Sequence, residues 1–381
     1  MSERVKITVI SIVAVAVIAL SFGAGYTFAG RTRLDTGQGL DLVVEAWDLI
    51  FDNYVEPDKL DASKLSQAAI SGVTEALGDP YTYYLSPDVS KLGLSSLEGK
   101  FGGIGAMVTV KDEQVTIIAP IPGSPAAEAG IRAGDVILEV NGTSTSGMSL
   151  AEAVLSIRGP EGTPVTLLVQ HQGEPEPEEI EIIRGEIKLP SVHFEMKEDI
   201  AYINITYFSG RTDEELSQVI GNIDERVATG IILDLRSNPG GLLEAVVDAT
   251  SYFLREGVVV NVRDKQGELT TRYVTSGRVV TDLPMVVLVD SYSASGSEVM
   301  AGALRDNSRA TIAGSKTYGK GSVNMVHPLK DGSSLSITAA RWLTPDGHTI
   351  EGEGLTPDYE LEPEGDAIEW AIDYLKRQDT G

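Results

Sequence analysis

The chain has 381 residues, room for about two or three domains of ordinary size. Its 30 basic residues stand against 56 acidic ones, a net charge of −26 that argues against nucleic acid as a partner, since phosphate binding needs basic clusters. There is no cysteine, so disulfides, thiol nucleophiles and Cys-based zinc sites are excluded, and the four histidines (His171, His193, His327, His348) have neither HxxxH nor HxH spacing. No metal site is expected.

Residues 7–30, "ITVISIVAVAVIALSFGAGYTFAG", carry no charge. As a helix they would span roughly 36 Å, more than the ~30 Å hydrocarbon core of a bilayer. Arg4 and Lys6 precede the stretch, which favours an N-terminus kept in the cytoplasm. Residues 1–33 therefore read as a transmembrane anchor, with a signal segment cleaved near Ala29 as the alternative. Either way, the rest of the chain is expected outside the cytoplasm, on the periplasmic or extracellular face, and secreted if the segment is cleaved.

Residues 40–58 have the spacing of an amphipathic helix, with Val43, Trp47, Ile50, Phe51 and Tyr54 on one face. Asp61 is placed to cap a second helix, and "GDPYTYYLSPD" (78–88) closes this 40–95 helical region with turn residues. Residues 97–187 read as a compact α+β module: short strands at "QVTIIAP", "DVILEV", "PVTLLVQ" and "EEIEIIRGEI", and a helix at 149–159. From 191 to 378 strands alternate with helices, and "GIILDL" and "MVVLVD" are continuously apolar. That rhythm predicts a mostly parallel sheet covered on both faces. The fold class is α/β in a multidomain chain.

Four segments could carry chemistry. "SYSASGSEVMAGAL" follows a buried strand, at the carboxyl edge where open α/β sheets place their sites. A serine there has the helix N-terminus beside it to stabilise an oxyanion; a plain helix cap, which Ser297 with Glu298 would satisfy, is the competing reading. A hydroxyl nucleophile needs a base: His327, His348 or Lys320, the last standing between two glycines in "YGKGSV". "LDLRSNPGG" (233–241) ends a strand in a turn that can aim backbone amides outward. In "FGGIGAM", Phe101, Gly102, Gly103, Ile104 and Gly105 stand at the mouth of a groove beside the 149–159 helix, an arrangement that captures a chain-terminal carboxylate and adds the peptide as a strand.

Together with "GSPAAEAGIRAGDVILEVNG" (123–142) and "RWLTPDGHTIEGEGLTPD" (341–358), these motifs in this order resemble the carboxyl-terminal processing peptidases, PDZ-containing serine proteases with a Ser-Lys dyad. The resemblance implies Ser295 as nucleophile, Lys320 as its base, and an oxyanion hole from the N–H groups of Gly296 and Gly240. It also implies Arg158 as a sensor of bound peptide and Asn324 as the residue that orients the lysine. Two positions depart from the family: Gly296 replaces the usual alanine, and Asn324 the usual glutamine. Expected partners are polypeptides with free C-termini and, through the N-terminal helix, the membrane; the oligomeric state stays open, and no cofactor is implied. A catalytically silent PDZ scaffold and a hydrolase of small esters or lactams are the alternatives. Retention of both Ser295 and Lys320 weighs against the first, and the PDZ groove against the second.

Overall fold

The computed structural model describes residues 37–90, 99–111, 114–223, 227–278, 281–362 and 366–378. The apolar stretch 7–30 lies outside the described residues; among those that are described, no helix is long and apolar enough to cross a membrane. The described chain divides after Ala68 into two units.

In the first unit, helix α1 spans Gly37–Asn53 and a 3-10 turn spans Pro57–Lys59. Helix α2, Ala62–Glu75, starts there and continues into the second unit. The Ser63 and Lys64 N–H groups donate to Asp61 Oδ1 at 3.0 and 3.1 Å, so the aspartate caps the helix as its position suggests. On α1, Val43 and Ile50 are exposed, and Trp47 stacks on Phe51 one turn along.

The second unit begins its strands with β1 (Tyr83–Leu85) and β2 (Lys100–Gly103). The α+β module follows: β3 (Ala106–Lys111), β4 (Gln114–Pro120), helix α3 (Pro125–Glu128), β5 (Val136–Val140), β6 (Thr143–Ser144), helix α4 (Leu150–Ile157), β7 (Pro164–Gln170), β8 (Glu178–Ile183) and β9 (Gly185–Lys188). Its sheet runs β3-β4-β5-β7-β8 with all pairings antiparallel, which leaves β3 at an edge. Along β7 every second residue, Val165, Leu167 and Val169, is fully buried, the period expected of a strand with one face on the core. Ser149 and Glu152 form a reciprocal capping box at the start of α4.

The remaining elements are β10 (Val192–Lys197), β11 (Ile200–Ile205), helix α5 (Thr212–Asn222), β12 (Gly230–Asp234), helix α6 (Leu243–Thr250), β13 (Val258–Asp264), β14 (Leu269–Tyr273) and β15 (Met285–Val289). After these come helix α7 (Gly296–Asp306), β16 (Thr311–Gly314), β17 (Ser322–Pro328), β18 (Ser334–Leu343), β19 (Tyr359–Glu360) and helix α8 (Ala367–Gln378). One sheet runs β10-β11-β12-β15-β16-β19, parallel except for the β10–β11 pair. Its two faces follow the strand period. Ile231, Leu233 and Val287 pack with residues of α5, α6 and α7, whereas Ile232, Val286 and Leu288 pack with Ala371 and Leu375 of α8.

The single mostly parallel sheet expected from the sequence is corrected here: the fold is mixed. β13, β14, β17, β18 and β1 form a second, wholly antiparallel sheet. The reason is local turn chemistry. β17 and β18 are joined by "LKDGSS", in which Leu329 N–H donates to Ser333 O and Gly332 takes φ 86°, a tight hairpin that forces antiparallel pairing. β1 joins the same sheet by pairing Tyr83–Leu85 with Ser334–Ser336. Residues 83–85 of the 78–88 turn, assigned from its composition to a helical region, thus belong to the core sheet, because their partner lies far along the chain where no local pattern points to it.

Candidate active site

The serines of the 291–297 stretch have separate tasks. Ser293 is buried, with its hydroxyl donating to Leu235 O at 2.8 Å, and Ser297 is buried with its hydroxyl donating to Asn238 O at 2.9 Å. Ser291 is exposed. Ser295 occupies the N-cap of α7 at φ 53°, a left-handed conformation that costs a serine about 1–3 kcal/mol. Its hydroxyl donates to no protein acceptor among the described residues. The structure corrects the cap reading alone, which had placed Ser297 at the cap. The cap position itself is Ser295, and Ser297 is a strut between two loops.

The second loop is the turn after β12. Asn238 holds it from both ends: Oδ1 accepts the Gly240 N–H at 2.8 Å and Nδ2 donates to Ile205 O at 2.8 Å. Asn238 O also accepts the Ala294 N–H at 3.0 Å, which fastens the turn to the serine loop. The contact is tight enough that a Cβ on Gly240, at φ 103°, would lie 2.8 Å from Gly296 N. The expectation that Gly240 supplies an oxyanion-hole N–H is corrected, because Asn238 already takes that donor. Gly241 N–H and Gly296 N–H have no protein acceptor among the described residues. The Gly296 departure also has a physical reason: a Cβ there would meet Val246 Cγ2 at 2.7 Å and Phe208 Cδ2 at 3.1 Å, so this core has filled the space a larger residue would need.

The third loop carries Lys320. What brings it to Ser295 is Glu298, a fully buried carboxylate. It accepts the Ser295 N–H at 2.8 Å, Thr317 Oγ1 at 2.6 Å, the Gly319 N–H at 2.6 Å and the Lys320 N–H at 2.9 Å. Ser295 N and Lys320 N share one oxygen, Oε2, so the two backbones cannot be farther apart than those two bonds placed end to end. Burial pushes the Glu298 carboxyl upward while these hydrogen bonds favour its charged form. Gly321 lets the loop lie against the 349–355 turn, since a Cβ there would meet Glu351 N at 2.2 Å. The Lys320 amine is half-buried, and burial pushes its pKa below the ordinary lysine value, against the pull of the Glu351 and Glu298 carboxylates.

These loops face a cleft of about 620 Å3 lined by Tyr81, Ser237, Pro239, Tyr292, Ala294, Tyr318 and Lys320. Asn324 is not where the sequence reading placed it. Its Nδ2 donates to Tyr81 O at 2.6 Å and its Oδ1 accepts Ser322 Oγ at 3.1 Å, and it makes no hydrogen bond to Lys320. The side chain belongs to a residue of the β17–β18 ladder, where Asn324 pairs with Thr338. His327 and His348 are exposed and do not line the cleft. Sequence reasoning missed Glu298 as more than a cap and missed Tyr81 altogether. The spacing of Glu298, three residues after Ser295, was a signal for the first; nothing local signals the second.

A second groove, of about 410 Å3, lies between edge strand β3 and helix α4. Phe101, Gly103, Ile104, Gly105 and Arg158 line it, with Leu150, Val154 and Ile157 along the helix side. Gly102 does not line it; it pairs with Glu186 of β9. The Arg158 guanidinium stacks 3.5 Å from the Phe101 ring centroid, and burial pulls its pKa down. The wall of this groove reaches the core through Leu189, whose N–H donates to Gly99 O and whose carbonyl accepts the Tyr207 hydroxyl at 2.8 Å.

Comparison with known proteins matches residues 199–361 to the model of peptidase family S41, 116–171 to that of the PDZ domain, and 24–89 to that of the activating protease CtpB N-terminal domain. A carboxy-terminal-processing protease of Bartonella bacilliformis is 39% identical over 79% of this chain and 70% of its own length. A probable CtpA-like serine protease of Staphylococcus haemolyticus is 38% identical over 93% of this chain and 71% of its own. Among solved structures, the photosystem II D1 C-terminal processing protease aligns with a TM-score of 0.51 at 30% identity, covering 87% of this chain and 96% of that one.

Proposed function

The chain belongs to peptidase family S41, among the PDZ-containing carboxy-terminal-processing serine proteases, and from that premise we propose that Ser295 and Lys320 form its catalytic dyad and that the β3–α4 groove docks the substrate's C-terminus. The observation that carries the first part is the Glu298 clasp, which holds a serine in a left-handed conformation and a desolvated lysine on adjacent backbones. Ser295 Oγ attacks the scissile carbonyl as its proton passes to Lys320 Nζ, and the oxyanion is met by the Gly296 N–H and by the Gly241 N–H of the neighbouring turn. Lys320 then gives the proton to the departing amine, and water hydrolyses the acyl-enzyme by the same relay. A lysine can serve as base only when neutral, which its burial favours.

The docking reading rests on an edge strand beside an apolar groove, with a glycine-rich turn and Arg158 at its mouth. The uncharged 7–30 stretch supports a catalytic part held at, or released from, the outer side of a membrane. The decisive experiment is Ser295→Ala and Lys320→Ala, each assayed for cleavage of an unfolded substrate and for binding of a C-terminal peptide. Both variants should lose at least about 1,000-fold in turnover and keep peptide affinity. Turnover by Lys320→Ala near the wild-type rate would remove the lysine from the mechanism.

A further inference from the structure

Lys320 has a partner that no motif singles out. Its Nζ stands 5.1 Å from the centroid of the Tyr81 ring, within the ~6 Å over which an aromatic face attracts an ammonium. Nζ makes no ion pair or hydrogen bond to a protein group among the described residues; of the two carboxylates that pull on it, Glu351 and Glu298, the first is paired with Arg341 at 3.7 Å and the oxygens of the second are occupied by their own donors. The segment that carries the ring is tied down on both sides. Tyr81 N–H donates to Asp79 Oδ1 at 3.0 Å, and Thr82 Oγ1 donates to Asp79 Oδ2 at 2.7 Å while accepting the Thr338 N–H at 3.0 Å. Next along, Tyr83–Leu85 pair into β18. Asn324 Nδ2 then grips the Tyr81 carbonyl at 2.6 Å. On the other side Tyr318 lines the same cleft, and its N–H is tied to Ser293 O of the serine loop at 3.1 Å.

We propose that Tyr81 is a further catalytic residue of this peptidase, its ring face stabilising the positive charge that forms on Lys320 Nζ, and that Asn324 is the positioning residue that holds Tyr81 there. The proposal rests on the Ser-Lys reading above. When Ser295 Oγ bonds to the carbonyl carbon, the carbonyl π pair moves to oxygen and the serine proton moves to Nζ. Nζ is cationic from then until the C–N bond breaks and the amine takes the proton. A ring quadrupole attracts the cation and is nearly indifferent to the neutral amine, so the attraction is strongest where the barrier lies. The Tyr81 hydroxyl is pushed up to about 12 by burial and by the neighbouring Tyr318, so it stays protonated and the ring carries no competing charge. This also gives Asn324 a task that its hydrogen bonds permit, acting on the lysine through the tyrosine.

The test is the pH dependence of kcat for the full chain with a saturating peptide bearing a free C-terminus, for Tyr81→Leu, Tyr81→Phe and Asn324→Ala. The groups facing Lys320 from the packed elements are Tyr81, Tyr318, Tyr292, Glu298 and Glu351 with its partner Arg341; apart from Tyr81, these substitutions leave them in place. Tyr81→Leu keeps an apolar neighbour but removes the quadrupole. It should lower kcat about 3- to 30-fold, leave KM unchanged and move the acid limb to lower pH, because the ammonium has lost a stabilising contact. Tyr81→Phe should be several-fold more active than Tyr81→Leu, and Asn324→Ala should move kcat and the acid limb the same way by less. Equal kcat and acid limbs for the Leu and Phe variants would overturn the proposal. If Tyr81→Leu fails to fold, phenylalanine analogues with one, two and three ring fluorines at position 81 replace it; a kcat that does not fall as fluorines accumulate would overturn it equally. Lys320→Ala is run alongside: retained turnover there brings down the Ser-Lys reading itself, whereas a flat fluorine series in a lysine-dependent enzyme refutes Tyr81 alone.

Discussion

The β3–α4 groove and the cleft at Lys320 are built on opposite plans. The groove is made almost entirely from residues 101–158, on a sheet whose neighbouring strands are close in sequence. The cleft is lined from four separate loops, at Tyr81, at Ser237 and Pro239, at Tyr292 and Ala294, and at Tyr318 and Lys320. The groove can therefore tolerate a change in one wall without losing its shape. The cleft depends on a few buried polar groups that hold separate loops together: Asn238 ties the 235–242 turn to the serine loop, and Glu298 ties that same serine loop to the lysine loop. Buried networks of this kind carry large penalties when one member is removed.

That difference can be broken or sharpened by experiment, and Glu298, outside the proposed dyad, is where the largest joint loss of turnover and stability is expected. Glu298→Ala strands buried donors at about 1–3 kcal/mol each and frees the Lys320 loop. We expect a fall in kcat of about 100-fold or more, the scale of a misplacement of about 1 Å, and a lower melting temperature, with the peptide affinity of the groove unchanged. Glu298→Gln keeps the shape and one acceptor, and should lie between. Loss of peptide binding in either variant would mean that groove and cleft are not separate structural units. In the groove, amidating the substrate's C-terminus should raise KM about 10- to 100-fold, since a charged hydrogen-bonded contact is worth about 1.5–3 kcal/mol. Unaltered KM would disconnect the groove from substrate capture.

Lys320→Met is expected to abolish turnover and yet raise the melting temperature slightly at neutral pH, the half-exposed amine keeping the gain small. The sign follows from burial. The folded pKa lies below the ordinary 10.5, so between the two values the native state binds fewer protons than the unfolded chain, and stability linked to this residue rises with pH across that window. The gain on removing the amine should shrink as pH approaches 10.5, and a gain that grew instead would mean the ammonium is stabilised in place. The smallest effect should come from Ser297→Ala. Its hydroxyl bonds to Asn238 O, which also accepts Ala294 N–H, so about 1 kcal/mol of stability and less than about threefold in kcat should be lost, by denaturant titration and initial rates.

The groove and the buried strands were legible because their signals are local: the glycine cluster at 102–105, the strand and helix runs beside it, and the apolar runs of β12 and β15. The Ser295 and Lys320 positions were legible only through motifs in a characteristic order. Tyr81, the second sheet and the true bonds of Asn324 were not legible, because each depends on β18, where β1 arrives from far upstream and β17 by a hairpin.

By itself the sequence determined the alternating and continuous apolar patterns, hence which strands are half-buried and which are covered on both faces, and it determined which side chains can act as nucleophile, base or cap. Those are properties of a residue and its near neighbours. Only the tertiary structure decided which hydroxyl among several is held in a strained conformation, which backbone amides are already occupied, and which ring lies beside the lysine. Such contacts join residues whose separation along the chain carries no periodic signal, and they exist only once the loops at the ends of different strands are brought onto one buried carboxylate.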